Sequence, residues 1–184
     1  AVRDTLKNAG VEIAMFEGIT AGDKDFSSLV TKLKQANVDY VYYGGYHPEL
    51  GLILRQSRSA DMNAIFMGPE GVGNKDINTI AGEASEGLLV TLPPSFDEKE
   101  ENQALVKAFE EKGEDPSGPF VLTSYAAVQL VAEGIEAAGS TDPFDVAAAL
   151  RAGTFETPIG TVEYDQAGDM KSFEFVVYEW HSDG

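Results

Sequence analysis

Short β-rich runs alternate with stretches of helical period through the first half of the chain, which predicts βαβ units around a mostly parallel sheet. The opening residues, up to Gly10, read as the later part of a helix with a glycine C-cap. Val11 to Phe16 alternates loosely and predicts a strand. Behind Asp25, a capping residue type, Phe26, Leu29, Val30 and Leu33 fall at i, i+3, i+4 and i+7. That is the stripe of a half-buried helix, and Asn37 ends it. Asp39 to Tyr43 predicts the next strand. Pro48 suits the first turn of the following helix, where its lack of an N–H costs nothing, and Leu50, Ile53 and Leu54 form the inner face. Further strands are predicted at Ala64 to Met67 and Gly87 to Thr91, with a short helix near Asp76 to Ala81 between them.

The rhythm changes at Pro93-Pro94. The acidic run Asp97 to Glu101 suits the positive end of a helix dipole, and the predicted helix places Leu105, Val106 and Phe109 on one face. After the loop Glu114 to Pro119 comes the longest predicted helix, roughly Phe120 to Ala138. Its apolar face reads as Phe120, Val121, Tyr125, Val128, Val131 and Ile135. Asp142-Pro143 starts another helix, ending near Arg151. The tail returns to β as a hairpin, Ile159 to Tyr164 and Phe173 to Trp180, around a turn at Asp165 to Asp169. A helical block set between α/β segments suits a two-lobed protein. Crossings are expected at Pro93-Pro94 and near Gly153 to Gly160.

Composition narrows the function classes. Of 184 residues, 43% are hydrophobic, enough for a folded core. Asp and Glu number 31 against 13 Lys and Arg, a formal net charge of -18 that repels phosphate backbones and argues against nucleic-acid binding. There is no cysteine, hence no disulfide and no thiolate metal site in this stretch. No apolar run approaches the ~20 residues of a membrane helix, and no signal-peptide pattern is present. With no capping residue ahead of Val2, the chain reads as cut from something longer.

Catalytic signatures are missing. His47 and His181 are the only histidines and neither belongs to an H-E-x-x-H pattern. No G-x-S-x-G elbow occurs. Gly82 to Gly87 has P-loop glycine spacing but lacks the Lys-Ser/Thr and precedes a strand instead of following one. Gly71-Val72-Gly73 lacks the third glycine of a dinucleotide fingerprint. The Asp165 to Asp169 turn has too few ligands for an EF-hand and reads as a plain turn. No cofactor or metal is called for.

Two successive predicted strands end at glycine-rich turns that offer polar groups, Tyr46 after Gly44-Gly45 and Glu70 between Gly68-Pro69 and Gly71. In open α/β sheets ligands sit beyond the carboxyl ends of the strands. A carboxylate on such a turn can accept charge-assisted hydrogen bonds from a ligand ammonium. Taken singly, Glu70 also fits an ordinary loop carboxylate and Tyr46 a packing tyrosine, while Phe120, at the head of the long helix, reads as core.

Four stretches, Phe16 to Ser27, Tyr42-Tyr43-Gly44-Gly45-Tyr46-His47-Pro48-Glu49, Phe66-Met67-Gly68-Pro69-Glu70-Gly71 and Asp115-Pro116-Ser117-Gly118, closely resemble the leucine/isoleucine/valine-binding proteins, the periplasmic receptors of branched-chain amino acid ABC importers. So does the ending Gly168 to Phe175, with Trp180-His181 behind it. The resemblance spans the chain in order and corresponds to about the C-terminal half of such a receptor. It implies a type I periplasmic-binding-protein lobe with a parallel sheet flanked by helices. Residues 1–92 would form most of the second lobe, completed by 171–184, and residues 93–170 would supply mainly helices of the first lobe. It also implies that Glu70 holds the ligand's α-ammonium, that Tyr46 joins the same polar site, and that Phe120 lines the pocket for the aliphatic side chain. The family's grip on the α-carboxylate lies in a part that this stretch does not contain. Implied partners are a branched-chain or related amino acid and the membrane permease of the importer. Helix faces without their sheet are expected to favour self-association. An amino-acid or amide sensing domain of the same fold is the alternative, and an enzyme with a doubly wound fold is disfavoured by the absent cofactor motifs.

Overall fold

The computed structural model describes residues 2–183. Two compact units divide the chain. One runs up to Leu92 and takes the chain up again from Val177, and the other spans Pro93–Val176.

The first unit is α/β. After α1 (Val2–Asn8) come α2 (Ser27–Gln35), β1 (Tyr40–Tyr42), α3 (His47–Ser59), β2 (Ile65–Gly68), α4 (Asp76–Ala81) and β3 (Leu88–Leu92). Strands β1, β2 and β3 are parallel neighbours, with Val41 opposite Phe66 and Gly68 opposite Val90. Strand β6 (Val176–Trp180) pairs along the outer edge of β3. One face of the sheet presents Phe66, Leu88 and Val90 to Leu33, Leu50, Ile53, Leu54 and Ile77 of the helices, and this is the core of the unit. Tyr40, Tyr42 and Ile65, alternate to those residues along the strands, are exposed.

Local chemistry sets the helix boundaries. Asn37 takes a left-handed conformation (φ 48°) just past α2, as a breaker should. Asp25 accepts the Ser27 N–H at 3.0 Å and so caps the start of α2 from one residue ahead of Phe26. Pro48 lies in the first turn of α3. From α3, Gln56 accepts the Phe26 N–H at 2.7 Å and donates to the Lys24 carbonyl, while Glu49 accepts the Gly22 N–H at 2.8 Å. One helix face thus fixes the whole 22–26 loop.

The Val11 to Phe16 strand does not form. A parallel strand exists only in a ladder, and among the described residues no strand pairs with this segment. The Val11 N–H turns back to the Leu6 carbonyl at 3.0 Å.

The second unit holds α5 (Gln103–Glu110), α6 (Val121–Ala138), α7 (Pro143–Ala152) and the antiparallel pair β4 (Phe155–Thr157) and β5 (Gly160–Val162). Leu130, Phe155 and Val162 form its small core. Buried Asn102 donates to the carbonyls of Phe96 and Pro158 at 2.7 and 2.8 Å, tying the entry of α5 to the hairpin. Asp142 caps α7 by accepting the Phe144 N–H at 2.9 Å, as its place before Pro143 predicts.

Three expectations fail here. The acidic run does not open an α-helix but makes two 3₁₀ turns, Phe96–Glu98 and Glu100–Asn102, before α5 begins. The tail is not one hairpin: β5 pairs with β4, while β6 joins the other unit's sheet. The turn between them does form, because Asp165 accepts the N–H groups of Ala167, Gly168 and Asp169 through one oxygen. Finally, α6 buries Leu122, Ala126, Leu130 and Gly134, whereas Tyr125, Val128 and Val131 of the predicted stripe are exposed.

A polar cluster fastens β6. The Trp180 indole donates to Asn78 Oδ1 at 2.6 Å, and the Ser85 hydroxyl donates to the same oxygen at 3.0 Å. Glu86 accepts the Ser182 N–H at 2.8 Å and faces His181 Nδ1 at 2.9 Å. The Ser182 N–H, then His181, hold the Glu86 carboxyl down at about 2, and Glu86 raises the His181 imidazole above its usual 6.5, helped by Glu179 and Asp183. The depressed carboxyl adds stability above its usual 4.5, lost as pH falls through about 2. The raised imidazole adds stability below 6.5, lost as pH climbs past its raised value. Docking of β6 is therefore expected to be firmest between 4.5 and 6.5. Fluorescence of Trp180, the only tryptophan, followed from pH 4 to 9 checks this, with a flat profile as the contrary result.

Candidate functional site

The parallel pairing of β1 and β2 brings their carboxyl ends side by side, and each opens into a turn that ends in a polar residue. Tyr46 is the extended residue just before α3, with φ -111° and ψ 165°. Its ring is 71% exposed. Glu70 begins the 3₁₀ turn Glu70–Val72 that follows β2, and it is exposed as well. Among the described residues its carboxylate has no hydrogen-bond or ion-pair partner.

The two turns touch. A Cβ placed on Gly71 would lie 3.1 Å from the Gly45 carbonyl oxygen and 3.1 Å from Cδ1 of the Tyr46 ring. A side chain there would require its neighbours to give by a few tenths of an ångström, so glycine suits this close approach. The Tyr46 ring thereby lies against the turn that carries Glu70, and the phenol oxygen and the carboxylate can both accept hydrogen bonds from an ammonium.

Beneath these turns lies Tyr43, whose importance the sequence reading missed. Its half-buried ring packs under Gly45, where a Cβ would come within 2.6 Å of Cζ. Burial first, and then the charge of Glu49, push its phenol up to about 12, partly offset by the Tyr46 backbone N–H facing the oxygen. The phenol is therefore a neutral group at any physiological pH. A tyrosine immediately before a double glycine was the available signal, hidden by its place in a β-rich run.

Phe120 lies in the other unit. It is the residue just ahead of α6, and its side chain is 47% exposed, not core. No group of three or more metal-ligating side chains occurs among the described residues.

The model for the periplasmic binding protein family matches residues 1–184. The chain belongs to that family. It is 58% identical over 182 residues to the leucine-, isoleucine-, valine-, threonine- and alanine-binding protein of Pseudomonas aeruginosa, covering 99% of this chain and 49% of that protein. Its identity to the Leu/Ile/Val-binding protein of Escherichia coli K12 is 50% over 184 residues, all of this chain and 50% of the relative. Among solved structures, the leucine binding protein of Thermotoga maritima aligns with a TM-score of 0.82 at 25% identity, over 96% of this chain and 55% of that one. The chain thus spans about half the length of the relatives it matches. For this periplasmic binding protein the type I fold expected from the sequence holds, and these relatives are binding proteins.

Proposed function

We propose that this chain supplies the second-lobe part of a two-lobed periplasmic receptor for branched-chain or related amino acids, which delivers its ligand to the membrane permease of an ABC importer without catalysis or cofactor. The observation that carries the reading is the free Glu70 carboxylate beside Tyr46 at the carboxyl ends of β1 and β2. An α-ammonium needs an anionic acceptor, and Glu70 offers one without a competing partner among the described residues. The names of the relatives, which bind leucine, isoleucine and valine, favour the same ligand class. In this reading Glu70 takes the ammonium, Tyr46 adds a hydroxyl, and Phe120 lines the aliphatic pocket. Residues 93–170 belong mainly to the first lobe and 171–184 return to the second.

Isothermal titration of the full-length receptor with leucine, isoleucine, valine, threonine and alanine tests this. Saturable binding of at least one is expected, and silence with all five refutes it. The isolated 184-residue chain is expected to self-associate through Tyr125, Val128 and Val131, since each large apolar side chain that leaves water contributes about 1.5–3 kcal/mol. Sedimentation over a micromolar concentration series checks this, and a monomer at every concentration is the contrary result.

A further inference from the structure

We propose that Tyr43 is a positioning residue for the mouth formed by Tyr46 and Glu70: its ring wedges the Gly44–Gly45–Tyr46 turn into the path that lets Gly71 seat against it. Three contacts form a chain of close approaches. The Tyr43 ring lies directly under the α-carbon of Gly45, leaving no room for a Cβ there. The Gly45 carbonyl and the Tyr46 ring then close on Gly71, the residue after Glu70. At the other side, Glu49 stands near the phenol while accepting the Gly22 N–H, so the same helix start that follows Tyr46 is tied to the 20–23 turn.

Register alone does not explain this arrangement. The ladder holds Tyr43 to β2 through its N–H, bonded to the Met67 carbonyl at 2.8 Å, and beyond that point no backbone pairing guides the turn. Two adjacent glycines leave the path conformationally open. The ring of Tyr43 under Gly45 supplies the missing constraint. Tyr43 itself is set below the turn, so its effect on a ligand passes through Tyr46 and Gly71. For amino-acid affinity, this inference rests on the function proposed above; for the turn, it does not.

The experiment separates the two. Amide exchange and ¹H–¹⁵N spectra of the 184-residue chain are compared with those of Tyr43→Ala, which removes the ring, and of Tyr43→Phe, which keeps it. Exchange at the Tyr46 amide is expected to quicken by about tenfold in Tyr43→Ala, as the turn opens locally, and to stay near wild type in Tyr43→Phe. Shifts are expected at Gly45, Tyr46 and Gly71, while the amides of β2 and β3 stay put. Unchanged Tyr46 exchange and unmoved Gly71 in Tyr43→Ala overturn the proposal. Gly45→Ala keeps Tyr43 intact and crowds the ring from above, so it should move the same amides, and a silent spectrum there also counts against the wedge. Leucine titration of the full-length receptor should then show about tenfold weaker binding with Tyr43→Ala and wild-type affinity restored with Tyr43→Phe. Wild-type affinity in Tyr43→Ala overturns the role in binding. A wild-type receptor that ignores leucine instead sinks the function and leaves the spectroscopic result to decide the wedge.

Discussion

Glu70→Gln in the full-length receptor is expected to weaken amino-acid binding by about 1.5–3 kcal/mol, the range for hydrogen bonds to a charged group. That is roughly 10- to 150-fold in the dissociation constant. Glutamine keeps the shape and one acceptor oxygen but loses the charge that an ammonium pairs with. The side chain is exposed and has no internal partner among the described residues, so the substitution should leave stability within about 0.5 kcal/mol. Affinity and stability therefore separate cleanly. Titration with leucine beside a melting curve gives both numbers, and an unchanged dissociation constant would remove Glu70 from the ammonium role.

Phe66→Ala should do the opposite, damaging the fold through a residue that no ligand reaches. Phe66 is fully buried in the middle of β2 against α3 and α4, with the Arg58 guanidinium 5.7 Å from its ring centroid. Truncating a buried phenylalanine costs about 3–5 kcal/mol, the lost transfer energy plus the cavity left behind. Total stabilities lie near 5–15 kcal/mol, so much of the first unit's margin would go. Urea unfolding read through Trp180 is the measurement, with a lower midpoint at unchanged slope expected. A midpoint shift worth under 1 kcal/mol would mean that the sheet repacks around the gap.

The parts of this fold that local chemistry dictates were legible in the sequence. Pro48, Asn37, Asp142 and the Asp165 turn each act within a few residues, and each stands where its side chain predicts. The parallel rhythm of β1 to β3 was equally readable, because buried strands declare themselves as β-rich runs. What escaped was decided by partners remote in sequence. Helix α6 is apolar nearly all round, so periodicity could not choose its buried face. Packing chose it: Gly134 presses against Leu150 and Val146 of α7, where a bulkier residue would not fit. Val11 to Phe16 has a strand's pattern, but a pattern does not supply a ladder partner. At the site, Tyr46 and Glu70 were visible as turn residues, whereas Tyr43 acts through a contact made only when the two glycines fold over it.

The first unit is finished by the last strand of the chain. During synthesis, β3 emerges with one edge unpaired, and β6 reaches it only after the whole of Pro93–Val176 has appeared. The entropy of closing so long a loop grows only slowly with its length, so the delay is a matter of time more than of equilibrium. Throughout that interval an unpaired strand edge is available to other chains. How long the β3 edge stays open is thus set by how quickly the intervening helices are made and delivered, and the Asn78, Ser85 and Trp180 cluster acts as the latch that closes it.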